Sequence, residues 1–296
     1  MSSKMKKSYS ITARVFLCLL SFFTITASFA QSNPPESHMV KSAYNGKAYR
    51  LNVSLPKTYS GLDTLRYPVL YVLDGKYSYQ SFKSIREVLD LAREIEDVII
   101  VSIESEGTTD AEWFSNRYSD FTPSSVPLAD TQWAKMMNIP EGKMKSGGAA
   151  LFLRTLENDL IPYIGRTYKT SGRQGLSGHS LGGLFAGYCL LKKPGLFSYY
   201  GINSPSFWWN NNEMTVIAQT KAGEGTAISA SVFFSAGALE GAMMINPMTA
   251  FMDALKSRHY QDLHISSQIF EGETHVSVVA ACSSRTLRVL FGAHLN

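Results

Sequence analysis

Cysteine, unbalanced charge and long apolar runs are all scarce in this 296-residue chain, and each scarcity removes a class of protein. Of its three cysteines, Cys18 lies in a leader segment set apart below. The other two, Cys189 and Cys282, are too few for a disulfide-stapled scaffold. Each sits in an apolar helical run, so two separate buried thiols are expected rather than a bridge. No C-x-x-C, H-E-x-x-H or acidic calcium loop occurs, and neither a metal nor another cofactor is expected. The longest apolar stretch, Val15 to Ile25, is about half the ~20 residues that crossing a bilayer requires. Lys4, Lys6, Lys7 and Arg14 precede it, and Ser28-Phe29-Ala30 follows with small residues suited to cleavage. Residues 1–30 therefore read as an export signal with a periplasmic or secreted destination and no stable membrane insertion after its removal. Cys18 is misplaced for a lipoprotein. The 28 Lys+Arg exceed the 24 Asp+Glu only because four basic residues and no acidic one belong to that leader. Balanced charge in the remainder excludes the footprint of a nucleic-acid binder or a polybasic membrane surface. There are no internal repeats and no low-complexity linker, and the sequence carries no signature of an oligomeric state. About 265 residues after the leader suit one α/β domain at 42–296, preceded by a flexible mature N-terminus at 31–41 that contains Pro34-Pro35.

What is present is an alternation of strands and helices. Tyr67-Pro-Val-Leu-Tyr-Val-Leu-Asp-Gly and Val98-Ile-Ile-Val-Ser-Ile are near-continuous apolar runs, as in parallel strands buried on both faces. Tyr49 to Leu55 alternates as a strand, and Phe82, Ile85, Val88, Leu89 and Ala92 have helical spacing. Residues 148–168 read as one long amphipathic helix, and strands are expected at 199–204, 231–236 and 263–270. Helices follow the last two, at 246–259 and 276–291. Repeated βα units give a doubly wound, mostly parallel sheet with helices on both faces, and its ligands bind beyond the carboxyl ends of the strands. Residues 104–147, rich in Trp, Phe and Met with little periodicity, read as an irregular insertion serving as a functional loop or lid.

Chemistry concentrates at Gly178-His179-Ser180-Leu181-Gly182, a G-x-S-x-G placed between a strand signal and an apolar helix that Lys192-Lys193-Pro194-Gly195 stops. That context makes it a nucleophile elbow, with Ser180 on the turn. A serine hydroxyl needs a base, and the base an orienting acid, in the chain order Ser, Asp/Glu, His. His275, in Phe270-Glu-Gly-Glu-Thr-His between the last strand and last helix, stands where the base belongs. Of the other histidines, His38 falls in the tail, His259 at a helix end, His264 in a strand as a packing residue, and His294 at the C-terminus. Glu240 follows the penultimate strand and is the candidate acid; Glu271 and Glu273 lie too near His275 in sequence to reach its far nitrogen. A Ser–His pair without an acid is the alternative. Oxyanion donors are expected from the backbone N–H of Leu181 and of Lys76, the latter in the turn Asp74-Gly75-Lys76. His179 is expected to pack beneath the elbow.

Together with Arg117-Tyr-Ser-Asp-Phe-Thr-Pro, Gly147-Gly-Ala-Ala-Leu-Phe-Leu-Arg, Leu160-Ile-Pro-Tyr-Ile, Ser204-Pro-Ser-Phe-Trp-Trp and Glu271-Gly-Glu-Thr-His, these segments resemble the esterase D/enterochelin-esterase-like family of α/β-hydrolases. The likeness runs from about Tyr49 to Phe291, and is greatest to the secreted or periplasmic branch that includes siderophore trilactone esterases. It implies an α/β-hydrolase fold, a serine carboxylic-ester hydrolase acting on a small-molecule ester, Ser180 as nucleophile and His275 as base. Some members of that branch work with a Ser–His dyad. The likeness also implies that Arg117, Trp208 and Trp209 line the substrate cleft. The plainer readings are that Arg117 pairs with Asp120 to hold the insertion and that the tryptophans anchor a loop. A siderophore lactone, a feruloyl or acetyl sugar and a simple acyl ester are the candidate substrates. An acyltransferase on the same fold and a non-catalytic secreted binding protein are the other functions.

Overall fold

Near-continuous apolar runs in the central strands give a sheet whose two faces are both covered. The computed structural model describes residues 36–60, 64–220 and 227–293. The expected export signal with Cys18, residues 31–35 and His294 lie outside them. The strands are β1 (Glu36–Lys41), β2 (Ala48–Ser54), β3 (Tyr67–Leu73), β4 (Ile99–Ser105), β5 (Thr170–His179), β6 (Tyr199–Asn203), β7 (Ala230–Gly237) and β8 (Leu263–Phe270). They lie in the order β1-β2-β4-β3-β5-β6-β7-β8. Pairing is antiparallel at β1–β2 and β2–β4 and parallel from β4 to β8.

In β3 every residue is buried. Val69, Tyr71 and Leu73 face one core, while Leu70 and Val72 face the other, which is the two-residue period of a strand covered on both sides. Helices α1 (Gly75–Ala92) and α9 (Val278–Phe291) close the second face through Phe82, Leu89, Leu287 and Leu290. The larger core is closed by α4 (Ala149–Thr155), α6 (Leu181–Lys192) and α8 (Ala242–Lys256), with Phe152, Phe185 and Phe251 at its centre. Cys189 and Cys282 are separate buried thiols, as expected. Burial raises the pKa of both, that of Cys282 to about 12, so they stay protonated.

Several elements differ from the expectation. Residues 36–41, expected to be flexible, form the edge strand β1, in register from Glu36↔Val53 to Lys41↔Ala48. Tyr168 secures it by donating its hydroxyl proton to Glu36 and standing 2.6 Å from His38 Nε2. The region expected to be irregular holds α2 (Asp110–Phe121) and α3 (Pro127–Met136). Its N-terminal signals are in the sequence: Thr109 Oγ1 accepts from the Glu112 amide at 3.1 Å while Glu112 reaches back to the Thr108 amide at 2.8 Å, and Pro127 opens α3. The helix at 148–168 is present but carries a wide turn at Leu156–Leu160 before α5 (Ile161–Thr167). Pro162 lacks the amide that a regular turn would use there. An unforeseen α7 (Trp209–Thr220) begins with Asn210, Asn211 and Asn212 all at positive φ. His264 is exposed on β8 rather than packed.

The turn between β5 and α6 leaves no room for a side chain at Gly178, where a Cβ would meet the Gly182 carbonyl at 2.3 Å. Gly178→Ala is expected to destabilise the protein by about 2–3 kcal/mol. Thermal unfolding followed by circular dichroism should show a fall in Tm of roughly 5–10 °C.

Candidate active site

The carboxyl edge of the sheet gathers loops from five strands. Ser180, between β5 and α6, has φ 61° and ψ −120°, a conformation that a residue with a Cβ adopts only when its surroundings impose it. Its amide donates to the Asn203 carbonyl at 3.0 Å, and its carbonyl accepts from the Ser206 amide at 3.0 Å. A Cβ at residue 183 would stand 2.9 Å from the Asn203 oxygen, so Gly183 lets the β6 loop approach. The Ser180 hydroxyl lies 3.4 Å from Ser206 Oγ, its hydrogen-bond partner among the described residues.

His275 lies between β8 and α9, with Nδ1 2.6 Å from Glu240 Oε2. Glu240 closes the short turn after β7, and its side chain is fully enclosed. Its other oxygen accepts from Ser204 Oγ at 2.6 Å and from the Gly237 amide at 2.7 Å. Burial pushes this carboxyl's pKa up, but hydrogen bonds from His275, Ser204 and Gly237 outweigh it and hold the group below the usual carboxylate range. A carboxylate at Nδ1 assigns the proton there and leaves Nε2 as the acceptor nitrogen of a neutral ring. The His275 ring stacks on that of His179, with centroids 4.5 Å apart. His179 immediately precedes Ser180, so the stack sets the His275 ring against the serine's chain neighbour. Among the described residues no hydrogen bond joins Ser180 to His275; bonds between nucleophile and base often form only with substrate. Burial, then His275 and Arg117, lowers the His179 pKa to about 3, and its Nε2 is enclosed without a partner among the described residues. It therefore packs as a neutral ring. Glu271 is exposed, and Glu273 accepts from the Ser277 hydroxyl.

Arg117 does not pair with Asp120. Its Nε and Nη2 donate to the two oxygens of Asp74 at 2.6 and 2.9 Å, and Nη2 also reaches the His179 carbonyl at 3.2 Å. Asp120 instead accepts from Lys47 Nζ at 2.6 Å and the Tyr49 hydroxyl at 2.8 Å. Lys76 is the second residue of α1, and Leu181 the first of α6. Amides in a first helical turn have no intrahelical acceptor and suit an anion. The Lys76 amine pairs with Asp110 and lies 5.5 Å from the centre of the Trp113 ring. Trp209 is buried, donates to Ser124 Oγ at 3.2 Å and meets Tyr118 edge-on, so its position is that of a loop anchor rather than a cleft wall. Trp208 beside it is half-buried. A cleft of about 430 Å³ next to His275 is lined by Tyr77, Trp113, Arg117, His179, Val276 and Val279. Tyr77, Trp113, Asp74, Ser204 and Ser206 were not foreseen as site residues. The Asp74-Gly75 turn, where Asp74 has a φ of 58°, and the Ser-Pro-Ser string were the available signals.

A doubly wound sheet carrying an elbow serine and a histidine–carboxylate pair at its carboxyl edge defines an α/β-hydrolase. The chain belongs to the putative esterase family, whose model matches residues 42–277, and is a carboxylic-ester hydrolase of that fold. Ferri-bacillibactin esterase BesA of Bacillus subtilis is 31% identical over 276 residues, covering 88% of this chain and 92% of that protein. The crystal structure of the BES protein from Bacillus cereus, also 31% identical, superposes with a TM-score of 0.70 over 88% of this chain and 97% of that one. An IroE-like serine hydrolase from Shewanella oneidensis is 26% identical, with a TM-score of 0.68 over 87% and 80% of the two chains.

The site generates two predictions. Removing Arg117 leaves Asp74 buried and unpaired, so Arg117→Met should cost about 3–5 kcal/mol in denaturant unfolding, and Arg117→Met with Asp74→Asn should recover most of it. The folded pKa of Glu240 lies below the ~4.3 of an unfolded glutamate. Its contribution to stability is thus complete above that value and is lost as pH falls through the folded one. The Tm difference between wild type and Glu240→Gln should accordingly shrink as pH falls below about 4.3.

Proposed function

We propose that this protein is an exported serine hydrolase that cleaves the ester bonds of a siderophore lactone through an acyl-enzyme on Ser180. His275 Nε2 accepts the Ser180 proton as the hydroxyl oxygen attacks the ester carbonyl, and returns it to the leaving alcohol. Water then repeats the sequence to release the acid. Glu240 holds the ring in the required tautomer and offsets the charge of the imidazolium. The amides of Leu181 and Lys76 receive the tetrahedral oxyanion, where preorganised donors act in place of water.

The observation that carries the reading is the 2.6 Å contact between His275 and the enclosed Glu240, beside a serine held in a strained turn. It favours a triad over a dyad. The siderophore assignment draws on the likeness to a ferri-bacillibactin esterase that is 31% identical and on the cleft, whose Tyr77 and Trp113 rings suit a flat acyl group. Trp208, half-buried, is the tryptophan retained as a substrate contact. Arg117 meets substrate only through the donors that Asp74 leaves free. Export is supported by the basic, apolar and small-residue order of residues 1–30. Among the described residues no helix is long and apolar enough to cross a membrane.

Purified protein should turn over p-nitrophenyl butyrate, and Ser180→Ala or His275→Ala should lower kcat by about 10⁴-fold or more with the fold retained. Glu240→Gln should lose about 10²–10⁴-fold. Wild-type rates in Ser180→Ala would overturn the mechanism. Across siderophore trilactones, feruloyl sugars, acetylated xylan and short acyl esters, the highest kcat/KM is expected for a trilactone; a higher value for any other class would overturn the substrate assignment.

A further inference from the structure

The loop after β6 touches both ends of the catalytic relay. Asn203 and Ser206 hold the Ser180 backbone from either side, through the Ser180 amide and carbonyl. Ser206, 2% exposed, also brings its hydroxyl within 3.4 Å of the Ser180 hydroxyl. Two residues earlier, the fully buried Ser204 donates to Glu240 at 2.6 Å, on the carboxylate oxygen that does not face His275. Ser204 has a φ of 42°, a strained value for a residue with a Cβ. Its amide donates to the Ser235 carbonyl at 2.6 Å, which fixes the turn to β7. Pro205 packs where Gly183 provides space, so the turn is wedged against the first turn of α6.

We propose that the Ser204-Pro205-Ser206 turn is a positioning element that aims nucleophile and acid together. Ser206 donates its hydroxyl hydrogen to Ser180 Oγ as the Ser180 proton passes to His275, so a lone pair of Oγ is held toward the substrate carbonyl while the Ser206 proton stays on Ser206. Ser204 saturates the second oxygen of Glu240, which fixes the carboxylate plane and leaves the first oxygen for His275 Nδ1. One rigid turn thereby sets the two groups whose separation the histidine must bridge. This inference rests on the assignment of Ser180, His275 and Glu240 above.

The two hydroxyls have different signatures. Ser206 touches the nucleophile and not the substrate, so Ser206→Ala should lower kcat for p-nitrophenyl butyrate by about tenfold with KM unchanged, the size of one hydrogen bond. It should slow phosphorylation of Ser180 by diisopropyl fluorophosphate by a similar factor, and the position of the pH profile should not move. Ser206→Thr keeps the hydroxyl and should recover most of the rate. Removing the Ser204 donor leaves ionised Glu240 less stabilised, so the His275–Glu240 pair holds an extra proton more tightly. In Ser204→Ala the acid limb of kcat/KM should therefore shift to higher pH, and Ser204→Thr should restore it. A role confined to folding would lower Tm in these variants and leave both the limb and the inhibitor rate where they were. Unchanged kcat and phosphorylation rate in Ser206→Ala, or an unmoved acid limb in Ser204→Ala, overturn the proposal. Either result would leave the mechanism standing if Ser180→Ala is inactive; an active Ser180→Ala would remove the mechanism itself.

Discussion

The geometry at Ser180 is one the chain would not keep unaided. A serine at φ 61°, ψ −120° carries backbone strain of about 1–3 kcal/mol, and the structure opposes it by bonding both polar groups of that residue's main chain to the β6 loop. This clamp exists only because β5 and β6 pair in parallel register, with His179 opposite Asn203. Gly178 and Gly183 serve the same constraint: each occupies a point where another stretch of backbone passes too close for a methyl group, while a Cβ at Gly182 would stand 3.2 Å from an Asp74 oxygen. The strained serine, the glycines and the parallel pairing are one device, which presents a hydroxyl clear of its own backbone at the start of a helix.

Charge at this edge is arranged in closed pairs. Asp74 takes both of its bonds from Arg117, Glu240 is met by His275, Ser204 and Gly237, and Asp120 by Lys47 and Tyr49. The Asp120 carboxyl is nevertheless raised, because its burial outweighs the pull of Lys47. The Lys76 amine is occupied by Asp110. With these cations engaged, the neutral donors at this edge include the amides at the first turns of α1 and α6, which have no intrahelical acceptor. Arg117, bound to Asp74 and to the carbonyl of His179, joins the β3 turn, α2 and the elbow.

The sequence disclosed what depends on local pattern. The buried strands were legible as apolar runs. Ser180, Glu240 and His275 were legible because each follows a recognisable strand in the chain order that a doubly wound sheet requires. The partner of Arg117 was not, since Asp74 lies 43 residues away and a nearer acid, Asp120, was available by spacing alone. Tertiary pairing decided between them: Asp120 faces Lys47 and Tyr49 in the groove between α2 and β2. Helix α2 was hidden by its aromatic content, which blurs the apolar period, although its Thr-x-x-Glu cap was in plain view. Strand β1 was masked by polar residues that suit an edge. The run of three left-handed asparagines before Glu213 concealed α7, because such residues ordinarily mark a turn.

The two halves of the site are held in different ways. Ser180, Ser206 and Asn203 belong to the sheet and to a wedged turn, with their backbones bonded in place. His275 sits on a loop where Thr274, Val276 and Ser277 are exposed. Among the ties of that loop, the Glu273 carbonyl accepts from the Leu239 amide at 3.0 Å and lies so near Gly237 that a Cβ there would stand 2.3 Å away. This tie lies beside Glu240, whose carboxylate meets Nδ1 of the ring on the same loop at 2.6 Å. The serine is thus held through its main chain and the histidine through its ring, by Glu240 on one side and the His179 stack on the other, so two different kinds of contact fix the two groups at one sheet edge.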